Sequence, residues 1–367
     1  MLAANANPTD QMPPAVDGGV SAADSPLRYV HTEGLPQLFN QLGISLAVTT
    51  YQAGKLMLIR PAGEKLSLLM RSFEKPMGIA VSGQGRMAVG CRSQIWVLAN
   101  APDLRDETGN RVPHDAYYLP RRSHVTGDIL GHELAWGHNG ELWIVNTRFS
   151  CLATLDEAYS FVPRWRPPFV TACVPEDRCH LNGLALDGGR PKFVSALGQT
   201  DVRQGWRPGK RDGGCLIDVD SGEAVTTGLS MPHSPRLALG KLWVLESGRG
   251  ELQIVDAASG TRECVCRLPG YTRGLAFHDR YAFIGLSQIR EKHQFGGLPI
   301  EQAFDRLKCA VYVIDVRSGR EVGFIEFQTA CEELFDVQVL PGAVNPHVVG
   351  LQKDTINGAF VVPPQGD

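Results

Sequence analysis

Self-similarity limits this chain more than any other feature. The phrase Asp-x-x-Ser-Gly ends a strand-like apolar run three times, at 218–222, 256–260 and 315–319. An upstream element also recurs, a short apolar strand beginning near Ile79, Leu134, Leu184, Leu237, Leu275 and Val337, at spacings of 55, 50, 53, 38 and 62 residues. Each is followed by a second run rich in Val, Ile, Leu and aromatics: MAVGCRS (87–93), LWIVNTR (142–148), KFVSALG (192–198), LWVLESG (242–248), YAFIGLS (281–287) and VVGLQKD (348–354). Short strands bounded by Gly, Asn, Asp and Pro read as β, and helical periodicity is confined mainly to PQLFNQLG at 36–43. Units of 40–60 residues with about four strands each predict an all-β fold, a β-propeller.

The blade number is open at this stage. The runs SLAVTTY (45–51), KLMLIR (55–60) and LSLLMRS (66–72) fit strands two to four of a blade, which makes seven second strands against six first strands. Seven blades are favoured over six, with N- and C-terminal strands interleaved in a closing blade. The interruptions at 201–213 and 289–308 predict loops over one face. Residues 1–27 read as a disordered arm and 28–367 as a single propeller domain.

Of the 367 residues 43% are apolar and 20% charged, with a formal net charge of −3. That balance offers no basic footprint for nucleic acid, and no apolar run approaches membrane-spanning length. Small molecules or peptides are the expected partners; the oligomeric state is not legible. The nine cysteines lack disulfide-framework or zinc-ribbon spacing, and the N-terminus lacks a secretory pattern, so a cytoplasmic protein with reduced thiols is expected.

In a propeller the first strand of each blade lines the channel, so residues just ahead of those strands meet at one mouth. Aligned on the first apolar residue, the position four before is Lys75, Leu130, His180, His233, Tyr271 and Glu333. The position two before includes His132, Asn182 and Arg273. The position one before is Gly78, Glu133, Gly183, Arg236, Gly274 and Asp336. Three imidazoles from consecutive blades suit a divalent metal ion such as zinc, iron or manganese, and His132, His180 and His233 are its candidate ligands. Glu133, Glu333, Asp336 and Tyr271 are the candidate catalytic groups, and Arg236, Arg273 and Asn182 the candidate substrate contacts. The expectation is a metal-dependent enzyme, a lyase, hydrolase or oxygenase, acting on a polar or anionic small molecule or peptide. The alternatives are a non-catalytic binding module and histidines that only bond a neighbouring blade. No nucleophile elbow, P-loop or dinucleotide fingerprint is present.

Through TYQAGKL, HVTGDILGHELAWG, VNTRFSCL, FVPRWRPPF, PEDRCHLNGLAL, MPHSPR, SGRGEL, LPGYTRGLAF and ELFDVQVLPG, nearly all the chain after residue 28 resembles an uncharacterised family of bacterial conserved hypothetical proteins. That family carries a domain of unknown function. The resemblance implies a β-propeller-like fold and no settled activity.

Overall fold

The computed structural model describes residues 27–104, 110–289, 296–352 and 354–362, so the arm expected over 1–27 lies, except for its last residue, outside the described residues. The described residues form six sheets, each with a four-stranded antiparallel blade. From the inner strand outwards, blade one is Ile79–Val81, Arg86–Gly90, Gln94–Asn100 and Ala116–Val125, and blade two is Gly131–Trp136, Leu142–Asn146, Cys151–Thr154 and Val162–Trp165. Blade three is Leu181–Asp187, Arg190–Ala196, Gly214–Asp218 and Ala224–Leu229, and blade four is Pro232–Ala238, Lys241–Glu246, Glu251–Val255 and Arg262–Arg267. Blade five is Tyr271–His278, Tyr281–Ser287, Cys309–Asp315 and Arg320–Phe327; blade six joins Asp336–Pro341 to Ile44–Thr50, Lys55–Ala62 and Lys65–Ser72. Each inner strand touches the next, and that of blade six touches blade one, so the ring is closed.

The propeller therefore has six blades, and the preference for seven is corrected. All six expected inner strands are present. The seventh second strand came from counting VVGLQKD. In its place Pro346–Val348 pairs in parallel with Ala116–Val125 at the rim of blade one, and a 3₁₀ turn, Asp354–Gly358, follows. The true partner of the last inner strand is Ile44–Thr50, in register from Ile44 opposite Pro341 to Thr49 opposite Asp336. Tyr29–His31 covers the outer edge of blade five, antiparallel to Arg320–Phe327; a covered edge no longer offers unpaired backbone groups to another chain.

Local chemistry explains the repeated turn. In blades three, four and five the Asp of Asp-x-x-Ser-Gly ends the third strand or follows it directly. Its carboxylate accepts backbone N–H bonds two residues on, from Asp220 at 2.9 Å, Ala258 at 3.1 Å and Arg317 at 3.0 Å. The closing glycine, at φ 75, 71 and 68°, donates to the backbone carbonyl of that Asp at 2.8 Å each time. The side chain thus mimics a turn of backbone and reverses the strand.

Blades pack face to face, so a middle strand is buried on both sides and its residues need not alternate. Ile44–Thr50 and Tyr281–Ser287 are buried at every position. The core is accordingly split into one apolar cluster per blade boundary. Phe283, Val311 and Val313 meet Val48, Met57 and Ile59 between blades five and six; Val145 and Leu152 meet Leu184 and Val194 between two and three. Burying such a side chain is worth roughly 1.5–3 kcal/mol. Helix Leu35–Leu42 lays Leu35 and Phe39 over the first of these clusters.

Around the axis the inner strands alternate charge with glycine. Blades two, four and six carry Glu133, Arg236 and Asp336; blades one, three and five carry Gly78, Gly183 and Gly274. Each charged side chain crosses to the backbone just past the next blade's glycine. Glu133 Oε2 accepts from Leu184 N at 3.1 Å, Arg236 Nε donates to the Leu275 carbonyl at 2.9 Å, and Asp336 Oδ2 accepts from Ile79 N at 2.8 Å. Glu133 also pairs with Arg236. At each such boundary a second staple bonds the next blade's backbone: Thr147 to the Leu181 carbonyl, Ser247 to Thr272 and Thr49 to Met77, each at 2.5 Å.

The glycines leave no room for anything larger. A Cβ on Gly183 would lie 2.4 Å from Pro235 Cδ, 2.5 Å from Ser195 Oγ and 3.0 Å from Ser234 N. Gly183→Ala should therefore destabilise the protein by about 1–3 kcal/mol, the usual cost of overpacking. Gly83→Ala, where nothing lies within 4 Å of the added carbon, should change stability by less than about 0.5 kcal/mol. Urea unfolding of the two variants checks this.

Candidate functional site

Above the belt of charge and glycine the inner strands begin in strained turns. The aligned position four before the strand is Lys75, Leu130 and His180 in blades one to three, with φ 46, 51 and 49°. Non-glycine residues held in this left-handed region cost on the order of 1–3 kcal/mol each and tend to cluster at binding and catalytic sites. The turns surround a cavity of about 710 Å³ at the channel mouth. Both interruptions pack beside it. Trp206 joins Leu298 and Ile300 in an apolar cluster with Leu197, Met231 and Tyr271, while Arg203, Gln204 and Arg207 contribute to the cavity wall.

His132, His180, His233, Tyr271, Arg273 and Glu333 all line this cavity. The three imidazoles are held alike, each by Nδ1. His132 Nδ1 lies 3.0 Å from the Leu130 carbonyl; His233 Nδ1 lies 2.9 Å from the Met231 carbonyl and 2.9 Å from Ser247 Oγ, whose own proton goes to the Thr272 carbonyl. His180 Nδ1 lies 2.9 Å from both carboxylate oxygens of Asp177. Carbonyls and carboxylates only accept, so every Nδ1 carries a proton, and a neutral ring so fixed presents a lone pair at Nε2. None of the three Nε2 atoms has a protein partner among the described residues, and none is sealed from solvent.

Ring packing fixes their orientation. His132 stands edge-on to His180, with centroids 4.8 Å apart, and Trp206 covers His180 at 4.4 Å while its Nε1 donates to Asp177 Oδ2 at 3.0 Å. Tyr271 meets His233 edge-on at 5.5 Å. Arg273 stacks on Phe335 at 3.5 Å; its nearest carboxylate, Glu333, is 4.0 Å away, and Nη2 has no partner. Burial, then the charge of Arg273, holds His132 and His233 well below the usual imidazole range. Burial also lowers the Arg273 pKa and raises that of the Tyr271 hydroxyl.

Other candidates lie elsewhere. Glu133, Asp336 and Arg236 are belt residues that bond neighbouring blades and do not line the cavity. Burial pushes Glu133 up to about 7 against the pull of Arg236, and raises Asp336 as well. Asn182 is buried and accepts from Ser195 Oγ at 2.5 Å. Asp177, the partner of His180, was missed although the Asp-x-x-His spacing stands in PEDRCH. Phe335, two before Val337, shares the column of His132 and Arg273, whereas the insertion's Arg203 and Arg207 carried no alignment signal. The imidazoles have the donor chemistry of a metal site but not its arrangement: among the described residues no three His, Cys, Asp or Glu side chains are grouped to hold a metal ion.

The model of the family described as "Domain of unknown function (DUF4915)" matches residues 33–349. The chain belongs to that family. No curated protein matches. Among solved structures, the chain is similar to one from a nidogen/laminin complex, at 10% identity and TM-score 0.52, covering 82% of this chain and 99% of that one. It is also similar to a protein of unknown function from Bacteroides caccae, at 10% identity and TM-score 0.47, covering 81% and 98%. Virginiamycin B lyase from Staphylococcus aureus matches at 12% and 0.38, covering 83% and 99%. Likeness at such identity concerns the fold alone. No helix of the described residues is long and apolar enough to cross a membrane.

The depressed imidazoles give a pH prediction. Below the unfolded pKa of about 6.5 the unfolded chain takes up protons that folded His132 and His233 refuse, so their contribution to stability is complete above that pH and lost as pH falls. Glu133, raised in the folded state, gives the opposite slope, so the test is a comparison. Between pH 7.5 and 5 the urea midpoint of the wild type should fall more steeply than that of His132→Gln/His233→Gln.

Proposed function

We propose that the cavity is the active site of an enzyme acting on a polar or anionic small molecule or peptide, with the His180–Asp177 pair moving the proton. The observation that supports this most is the fixed imidazole of His180: a buried carboxylate holds Nδ1 at 2.9 Å while Nε2 stays open to the cavity. That is the geometry of a general base oriented by an acid partner. Asp177 would stabilise the imidazolium formed when Nε2 accepts a proton. Tyr271, a hydroxyl kept protonated by burial, and Arg273 would face the negative charge that develops on substrate. Lyase and hydrolase chemistry both begin with such a proton transfer. The nine free cysteines, six of them buried, favour a reducing, cytoplasmic setting.

The experiment is a turnover screen of small acids, esters and peptides with wild-type protein. His180→Gln should lower kcat by about 10²–10⁴-fold, the usual contribution of a general base, and Asp177→Asn should lower it in the same direction, both with an unchanged melting profile. Binding without turnover, equal in wild type and His180→Gln, would favour a non-catalytic module.

Metal-assisted chemistry is the second reading, favoured by the Nδ1 anchoring that is usual for metal-bound histidines. His132, His180 and His233 would be the ligands, and they would have to draw closer together, beside the charge of Arg273. Metal analysis of protein prepared without affinity-tag metal should then show near-stoichiometric metal in the wild type and its loss in His180→Ala/His233→Ala. Metal-free wild type with undiminished turnover would exclude it.

A further inference from the structure

We infer that the ligand of this cavity is a polyhydroxylated anion, a sugar acid or sugar phosphate, whose hydroxyls donate to the Nε2 atoms of His132, His180 and His233 while its charged group lies against Arg273. The inference rests on the cavity being a small-molecule site and deepens that reading by naming the ligand class.

Tautomer decides the hydroxyl half. With Nδ1 spent on Leu130, Asp177 and Met231 in the three rings, Nε2 of each neutral ring can only accept. A ligand filling the cavity must therefore bring hydrogen-bond donors to three acceptor nitrogens. An apolar ligand would leave those lone pairs desolvated without a partner, which is the costly outcome. Donors come as ammonium groups or as neutral hydroxyls. Arg273, which lines the same cavity as the three rings, opposes a cation there. Neutral hydroxyls remain.

Charge decides the other half. The lining carries five Lys and Arg against three Asp and Glu, and of the acids Glu176 is bonded to Arg178 and Asp177 to His180. Arg273 is a buried cation, its side chain 14% exposed. Its closest carboxylate is beyond hydrogen-bonding distance at 4.0 Å, and Nη2 is unpartnered. A guanidinium in this condition gains most from a carboxylate or phosphate, which it can meet with two parallel bonds. At about 710 Å³ the space lies within the ordinary range of small-molecule sites, roughly 300–1,000 Å³.

The test is calorimetric titration of the full chain after chelator treatment, using glucuronate, gluconate and glucose 6-phosphate as probes. Glucose supplies the hydroxyls without the charge, acetate and inorganic phosphate the charge without the hydroxyls, and serine an ammonium in place of neutral donors. At least one hydroxylated anion should bind roughly tenfold or more tightly than its matching fragments, and whether acid or phosphate wins identifies the anionic group. Arg273→Gln should abolish the advantage over glucose. Arg273→Lys, which keeps the charge, should retain part of it and serves if the glutamine variant does not fold. His132→Phe, keeping a ring against Phe335, should reduce the advantage over acetate or phosphate. Glucose binding as well as glucuronate and glucose 6-phosphate, serine binding more tightly than either, or a folded Arg273→Gln protein with unaltered selectivity would overturn the inference. The two proposals fail separately. Binding of these probes with no turnover sinks only the catalytic reading, and His180-dependent turnover of a compound outside this class, with no probe bound, sinks only the ligand class.

Discussion

The close approach of neighbouring inner strands around the axis governs the rest of the molecule. Three glycines let three blades come within backbone contact of the next, and Glu133, Arg236 and Asp336 close the gaps by bonding backbone groups that would otherwise be buried without partners. A buried charge is tolerated only when paired and fully bonded. Here the backbone of the next blade supplies part of that solvation. Alternation of charge with glycine closes on itself only in an even ring, since an odd ring would set two glycines or two charged side chains side by side. The belt thus favours six blades over seven and also forms the floor on which the cavity sits.

Much of this was legible in the sequence. All six inner strands were legible as short apolar runs recurring at blade spacing, each followed by a second strand that burial on both faces makes continuously apolar. The turn phrase was located because an Asp carboxylate is needed where the strand reverses. Blade number failed for a reason of topology. VVGLQKD has strand composition, but its first residues pair in parallel at a rim, and composition does not reveal which strand lies beside which. Glu133, Arg236 and Asp336 stood in the alignment in one column with the three glycines, where their alternation was visible and was read as chemistry rather than as packing.

At the site, the histidines, Tyr271, Arg273 and Glu333 come together because all six stand in or just before the first residues of inner strands, which the fold delivers to one mouth. Asp177 was missed because its partnership with His180 depends on a left-handed turn between them, with φ 50° at Asp177 and 49° at His180. No composition rule announces such a turn in residues other than glycine. The arginines of the insertion reach the cavity through tertiary packing alone, and Phe335, although in the column of His132 and Arg273, is an apolar ring with no chemistry to single it out by type. Three imidazoles invite a metal when only residue types are known; their hydrogen bonds add that each is fixed as an acceptor beside a cation.

Blade six is assembled from the two ends of the chain, with Thr49 opposite Asp336. Closing that contact spans nearly the whole chain, and a loop of such length carries a large entropic cost before any of its contacts form. The same segments bring Tyr51, Glu333 and Phe335 to the cavity wall. During synthesis the histidines of blades two to four can fold into place well before the wall opposite them exists. The pocket is thus enclosed only once blade six is assembled, and a chain interrupted short of its final blade would carry most of the site's residues and no enclosed site.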